Sequence, residues 1–124
     1  MIYKLKTSSE TQTSFAEIQN LYGLQPYILS KIAIALSIKK GKLESGDFGT
    51  NTNGLELNRQ TIFGELDTIY RCLIAMNEGK SLTDEEYFPK LVKAHLDRGA
   101  RLLSNESKYS RDLYISLCHL DENL

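Results

Sequence analysis

The sequence has few of the residues on which metal, redox and membrane proteins depend. Its two cysteines, Cys72 and Cys118, form no CxxC pair, which argues against a zinc or iron–sulfur site within one chain. We expect both to be inert thiols, because a free cysteine behaves as a small buried hydrophobe. No apolar run approaches the ~20 residues of a membrane span, and the stretch MIYKLKTSSETQ lacks the apolar segment of a signal peptide. We therefore expect a cytoplasmic protein with no membrane partner and no cofactor.

The composition is that of an ordinary globular domain. The chain has 124 residues, of which 41% are hydrophobic, so we predict one domain over residues 1–124 with a modest core. Its most apolar stretch, PYILSKIAIALSIKK, has apolar residues on nearly every side of a helix. Such a helix must lie inside a large core or between subunits, and the second option suits this short chain better. Pro26 at its start and Lys39, Lys40 and Gly41 at its end predict a helix over residues 26–40.

The net charge of −1 hides a segregation of charge along the chain. Residues 1–42 have six lysines against two glutamates, and residues 43–88 have three basic against nine acidic residues. Residues 89–111 are again basic, with six basic against two acidic residues. A polyanion would meet the first or the third of these blocks, although charge alone favours ordinary solvated helix faces.

The N-terminal part has the order strand, helix, turn, helix. Residues 2–6 alternate as a short strand, and apolar residues then recur at helical spacing between a cap at Ser8, Ser9 or Thr11 and a stop at Gly23. This is the plan of a ribbon-helix-helix unit, in which two chains pair their N-terminal strands. Such pairing would also satisfy the backbone groups that a lone strand leaves open.

The predicted ribbon has two different sides. Tyr3 and Leu5 would face the helices, whereas Lys4 and Lys6 would project outward, where this architecture places a ribbon on DNA. The alternative is a frayed N-terminus whose lysines extend into solvent.

The middle of the chain combines a long loop with a helical pattern. Residues 41–58 are rich in glycine and form either a functional surface loop or a mobile linker. Their glycines match neither GxGxxG nor a P-loop, so nucleotide binding is disfavoured. Asn58 then caps a predicted helix over residues 59–78, in which Gly64 suggests close approach of another helix or of a ligand.

The last third is also predicted to be helical. A capping box at Thr83–Glu86 leads to a helix over residues 89–103 that begins with a proline. His95 lies on its inner side and is typical of a hydrogen-bonded core histidine. Ser107 or Ser110 would start a final helix.

Three stretches carry a resemblance to a known family: PYILSKIAIALSI at residues 26–38, LELNRQTIFGELD at residues 55–67 and KAHLDRGARLL at residues 93–103. They resemble the DNA sulfur modification protein DndE, and with their spacing they cover most of residues 15–103. The resemblance implies a small protein that associates as a tetramer and binds DNA, nicked duplex in particular. It also implies partners, namely a cysteine desulfurase, a sulfurtransferase and an ATPase, which together replace a non-bridging phosphate oxygen by sulfur.

We therefore predict a mainly α fold, with a ribbon-helix-helix-like unit at residues 1–40, the loop at 41–58, a helical part at 59–104 and a C-terminal helix or extension at 105–124. The predicted function is that of a DNA-binding accessory subunit that is not itself an enzyme. The candidate DNA contacts are basic residues of the first and third blocks: Lys4, Lys6, Lys31, Lys39, Lys40, Lys42, Lys93, Arg98 and Arg101.

Two alternatives stay open. The first is a metal-dependent nickase with Glu65, Asp67 and His95 as ligands, although Glu65 and Asp67 point to different sides of a helix. The second is a scaffold that only tethers the other subunits. Sulfur chemistry by this chain itself would need a thiolate at the DNA, whereas Cys72 lies in an apolar helical pattern and Cys118 lies outside the resemblance.

Overall fold

The computed structural model describes residues 3–109, and this part of the chain is mainly helical, as predicted. Its elements in chain order are β1 (Lys4–Lys6), α1 (Ser9–Tyr22), α2 (Pro26–Lys40), β2 (Glu56–Asn58), α3 (Arg59–Phe63), α4 (Asp67–Glu78) and α5 (Val92–Tyr109). No single helix within residues 3–109 is long and apolar enough to cross a membrane. Helices α1 and α2 together pass the same test of length and composition, but they are bent by 113° at the break between them.

The first two helices begin and end where their local signals predict. The Ser8 hydroxyl accepts a hydrogen bond from the Thr11 amide and so caps α1. Gly23 ends α1 in the left-handed conformation, with φ of +70°, which glycine adopts at little cost. Helix α2 has the predicted bounds, with Pro26 in its first turn.

The core forms where α5 crosses α2. A Cβ atom built on Gly99 of α5 would overlap the carbonyl oxygen of Ala33 in α2, so only glycine permits this close crossing. The described chain itself buries Leu29, Ala33 and Ile34 completely. This side of α2 is therefore covered by the chain itself, and packing of its other sides against a second subunit stays a prediction.

The strand prediction was right in position. Strand β1 pairs antiparallel with β2 of the same chain, with Leu5 opposite Leu57, and the pairing of β1 with a second chain stays a prediction. Leu5 is buried between exposed Lys4 and Lys6, as the alternation predicts. Tyr3 precedes the strand and is 58% exposed. The expectation that Tyr3 faces the helices was therefore wrong.

The region predicted as a loop is packed against the rest of the fold. A 3-10 turn at Ser45–Phe48 precedes β2, which forms the end of the predicted loop. The amide of Gly54 donates to the Thr7 carbonyl at 2.8 Å, and a Cβ atom on Gly54 would overlap the Ser8 carbonyl. These contacts favour a structured surface loop over a mobile linker.

The long helix predicted over residues 59–78 is divided. Asn58 does cap its start, because its side-chain oxygen accepts from the Gln60 amide at 2.9 Å. At Gly64, however, φ is +52° and ψ is −125°, so α3 ends there and a short 3-10 turn leads into α4. A Cβ atom on Gly64 would meet nothing within 4 Å, so the glycine serves backbone conformation and not close approach.

The last described helix starts later and runs further than predicted. The Thr83 and Glu86 side chains form the expected reciprocal capping box. A π-helical turn at Glu86–Leu91 follows, in which Phe88 is extended and the Phe88–Pro89 bond is cis. Helix α5 begins after this turn, at Val92. Ser107 lies inside α5 and does not start a new helix. A start at Ser110, and Cys118 with it, lies outside the described residues.

Candidate nucleic-acid interface

Strands β1 and β2 form a two-stranded ribbon, and its outer side carries Lys4 and Lys6. Both are exposed on either side of buried Leu5, which fixes the strand to the core. The Lys4 ammonium lies 3.5 Å from a carboxylate oxygen of Glu56, with the lysine side chain 64% exposed. An exposed ion pair of this kind contributes about 0–1 kcal/mol, so it leaves Lys4 available to a phosphate.

The predicted contacts on and after α2 lie in different environments. Lys39 and Lys40 are in its exposed last turn, and Lys42 follows them at the surface. Lys31 is half-buried, with its ammonium 5.1 Å from the centre of the Tyr27 ring. Helix α2 therefore presents its cations mainly at its C-terminal end.

Arg98 is buried and holds the end of α2. Its Nε atom donates to the Ser37 hydroxyl at 2.8 Å, and its terminal nitrogens donate to the carbonyls of Ser37, Gly41 and Lys42. These acceptors include carbonyls that the end of a helix leaves without intrahelical partners. Arg98 is only 5% exposed, so it lies outside the surface that we consider for DNA.

Lys93 belongs to a buried network around Asp97. Its ammonium lies 2.6 Å from both a carboxylate oxygen of Asp97 and the Thr50 hydroxyl. The Asp97 carboxylate also accepts from the Thr11 hydroxyl at 2.6 Å and from the Ser8 amide at 3.1 Å. Burial alone would raise the pKa of Asp97, but the hydrogen bonds outweigh it and the pKa is lowered. Lys93 and Asp97 of α5 therefore join the loop, through Thr50, to the start of α1, through Ser8 and Thr11.

Arg101 is exposed and lies beside the loop. One of its terminal nitrogens is 3.4 Å from the Asp47 carboxylate, which also lies 3.6 Å from Arg98. The segment from Lys42 to Thr50 thus contacts three cations of α5: Arg98 through the Lys42 carbonyl, Arg101 through Asp47 and Lys93 through Thr50.

Two residues of this region, Phe48 and Lys90, were not among the predicted contacts. Phe48 is 41% exposed at the end of the 3-10 turn, and the Lys90 ammonium lies 5.5 Å from the centre of its ring. Both line an open cavity of about 280 Å³, which we call the loop cavity. Its lining residues are Asp47, Phe48, Thr50, Thr52, Lys90, Lys93 and Ala94. An aromatic residue within a glycine-rich loop was the signal that could have identified it.

The residues of the nickase alternative are placed in separate structural roles. Asp67 accepts two hydrogen bonds from Arg59, at 3.0 and 2.8 Å, which together with the charge of that guanidinium lower the pKa of Asp67 against the effect of burial. His95 is buried, as predicted, with Nδ1 2.8 Å from the Ser37 hydroxyl. Burial and then the charge of Arg98 lower the pKa of His95 to about 4. Within residues 3–109 no three His, Cys, Asp or Glu side chains are grouped so as to hold a metal ion.

Apolar side chains are exposed along one face of α4. They are Leu66, which directly precedes the helix, and then Ile69, Leu73 and Met76, and we call them the α4 stripe. Their spacing of three, four and three residues is that of a coiled-coil seam. Cys72 is exposed on the same helix, so the expectation that it is a buried hydrophobe was wrong.

Comparison with known proteins gives one family. Residues 4–111 match the sequence model of the family described as DNA sulphur modification protein DndE. The crystal structure of DndE from Escherichia coli B7A, involved in DNA phosphorothioation modification, is similar to this chain with a TM-score of 0.66 and 21% sequence identity. The match covers 83% of this chain and 97% of that one. The crystal structure of a DndE mutant with two glycines changed to lysine, also involved in DNA phosphorothioation, is similar with a TM-score of 0.64 and 18% sequence identity. This match covers 82% of this chain and 97% of that one. The comparison with curated proteins gives no match.

Proposed function

Because the chain belongs to the DndE family of DNA sulfur modification proteins, we propose that it is a DNA-binding accessory subunit of the phosphorothioation machinery. The observation that carries this proposal is the ribbon, in which buried Leu5 separates two lysines that both project outward. Lys39, Lys40 and Lys42 add positive charge at the end of α2. Such surfaces bind the phosphate backbone and release its counterions.

Salt dependence of binding tests this surface directly. Changing Lys4 and Lys6 together to alanine should weaken binding and lower the slope of log affinity against log salt by about 0.9 for each phosphate that is no longer neutralised. The matched control is Lys80→Ala, since Lys80 is a similarly exposed, ion-paired lysine in the acidic block. Arg101→Ala tests the competing surface. If it abolished binding while the ribbon variant bound normally, the DNA surface would lie on α5 instead.

The preference for nicked duplex follows from the resemblance and has its own test. Fluorescence anisotropy with intact, nicked and single-stranded DNA of one sequence should give the tightest binding to the nicked duplex. Equal affinities for all three would contradict the preference, and the absence of any salt-dependent binding would favour the scaffold alternative.

We also propose that the protein works as a homo-oligomer, a tetramer as the resemblance implies. The α4 stripe supports self-association, because an exposed apolar seam with this spacing is suited to packing against a second helix. Repetition by symmetry would multiply the charge that a single ribbon presents to DNA.

Light scattering measures this assembly. Leu73→Glu should lower the molecular mass below that of the tetramer, because the interface would bury an unpaired carboxylate. Leu21→Glu is the control, since Leu21 is 70% exposed on a different helix. Mild oxidation of a Cys118→Ser chain should also give a covalent dimer through Cys72. An unchanged mass for Leu73→Glu, with no covalent dimer, would place the interface elsewhere.

We propose no catalytic role for the chain. Asp67 and His95 are supported by their partners within the fold, whereas Glu65 is exposed on the 3-10 turn before α4. Plasmid nicking in Mg²⁺ or Mn²⁺ separates this proposal from the nickase alternative. Nicking that is lost in Glu65→Gln would establish an enzyme. We propose instead that the chemistry is done in the cytoplasm by the partner subunits, a desulfurase, a sulfurtransferase and an ATPase.

A further inference from the structure

The loop cavity combines an aromatic ring, ammonium groups and a rigid support. The Phe48 side chain remains 41% exposed although Lys90 lies 5.5 Å from the centre of its ring. A volume of about 280 Å³ is near the lower end of ligand pockets, at ~300 Å³, and suits a group the size of one nucleobase.

The charge of the cavity is positive even though carboxylates lie close to it. Lys90 and Lys93 line the cavity, and Arg98 and Arg101 lie behind its wall at Asp47. Against these four cations stand two carboxylates, Asp47 and Asp97, and both of them are ion-paired to these same cations. With Glu44, whose side chain caps the turn that carries Phe48, three carboxylates stand against the four cations. The surroundings therefore carry a net charge of +1, which attracts phosphate.

The turn that carries Phe48 is fixed before any ligand arrives. Glu44 and Asp47 form a reciprocal capping box, in which the Glu44 amide donates to Asp47 at 2.8 Å. The Asp47 carboxylate is in turn held by Arg98 and Arg101 of α5. A side chain on such a support loses little freedom when it binds.

We propose that Phe48 is a stacking platform for one unstacked nucleotide of DNA, and that the Lys90 ammonium, which lies over the ring in the free protein, pairs with the phosphate. This inference rests on the proposed DNA binding and adds a subsite to it. An aromatic ring stacks on any base, because every base has a π-face. In an intact duplex those faces are covered by neighbouring pairs and only the edges are accessible. The subsite is therefore specific for DNA with a break or a gap.

The test uses two DNAs of one sequence, an intact duplex and a duplex with a one-nucleotide gap beside a 2-aminopurine. Phe48→Ala should weaken binding to the gapped DNA about tenfold, a typical loss for one aromatic-base stack, and leave the intact duplex unaffected. Phe48→Leu should behave like alanine because it keeps apolar bulk without a π-face, whereas Phe48→Tyr should bind like wild type. The fluorescence of 2-aminopurine should be quenched by wild type and by Phe48→Tyr only.

Tyr27→Ala is the matched control, since Tyr27 is 38% exposed and has Lys31 5.1 Å from its ring centre but lies outside the loop cavity. It should affect both DNAs equally or neither. Equal losses on both DNAs for Phe48→Ala, or no loss and no quenching, would overturn the subsite while DNA binding stands. Quenching of the free 2-aminopurine mononucleotide, with none in gapped DNA, would also overturn it and assign a small-molecule site. If wild type bound neither DNA, the proposed function would fall as well.

Discussion

Replacing Asp97 by asparagine tests the network that joins α5 to the start of α1 and to the loop. The Asp97 side chain is 2% exposed and accepts four hydrogen bonds of 2.6 to 3.1 Å. Asparagine has the same shape, but its NH₂ group would face donors in place of one acceptor oxygen. It would also leave the Lys93 ammonium, 17% exposed, without its counter-charge.

The expected cost follows from this geometry. Removing one partner of a buried ion pair costs about 3–5 kcal/mol, because the remaining charge stays buried without compensation. With a urea m value of about 1–3 kcal/mol/M, the midpoint of unfolding should fall by at least about 1 M. Urea unfolding followed by circular dichroism measures this shift.

A second substitution shows whether the charge is the cause. In the Asp97→Asn chain, Lys93→Met should restore part of the stability, because it removes the uncompensated ammonium. The pKa of Asp97 is lowered in the fold, so its contribution is present above the unfolded value of about 3.9 and is lost as pH falls through the folded pKa. A cost below about 1 kcal/mol at pH 7, or strict additivity of the two substitutions, would refute this account of the network.

Two further predictions concern the crossing of α2 and α5. Gly99→Ala should destabilise the fold by about 1–3 kcal/mol or more, because its Cβ would overlap the Ala33 carbonyl. Gly46→Ala is the control and should be nearly neutral, because no atom lies within 4 Å of its Cβ. Thermal melts compare the two variants, and equal melting temperatures would contradict the close crossing. The pKa of His95 is lowered to about 4 in the fold, against about 6.5 in the unfolded chain. The unfolded state therefore binds the proton first as pH falls. The free energy of unfolding should decrease by about 2 kcal/mol from pH 7 to pH 5. His95→Gln should remove most of this decrease in urea titrations at the two pH values, and an unchanged pH dependence would show that other groups cause it.

Local signals explain which parts of the fold the sequence could predict. Ser8, Gly23 and Pro26 act within one turn of the chain, so α1 and α2 have the predicted ends. The apolar pattern continues across Gly64, and the positive φ that divides α3 from α4 leaves no trace in that pattern. The partner of β1 is three residues long and ends a glycine-rich segment, so no periodicity identifies it.

For the candidate site, too, the sequence shows local features but not the contacts between residues that are distant along the chain. The charge blocks show where cations are concentrated along the chain, but not which of them form ion pairs and hydrogen bonds within the fold. Lys93 and Arg98 are engaged by Asp97 and by the end of α2, partners that are close only in the folded chain. Phe48 was not predicted as a site residue, because the fold brings the Lys90 ammonium over its ring and the sequence does not show this contact.

Three consecutive residues of α5 have a consequence for the way the protein is made. Asp97, Arg98 and Gly99 contact the start of α1, the end of α2 and the middle of α2, at sequence separations as large as 89 residues. A ribosome must therefore synthesise α1, α2 and the loop long before the residues that fasten them together. Until α5 emerges, the nascent chain has an exposed α2 with apolar residues on nearly every side, a surface on which chaperones bind and premature association begins. The helix that completes the fold is the last one described, so folding is expected to be a single late event after translation of α5 and not a gradual process during synthesis.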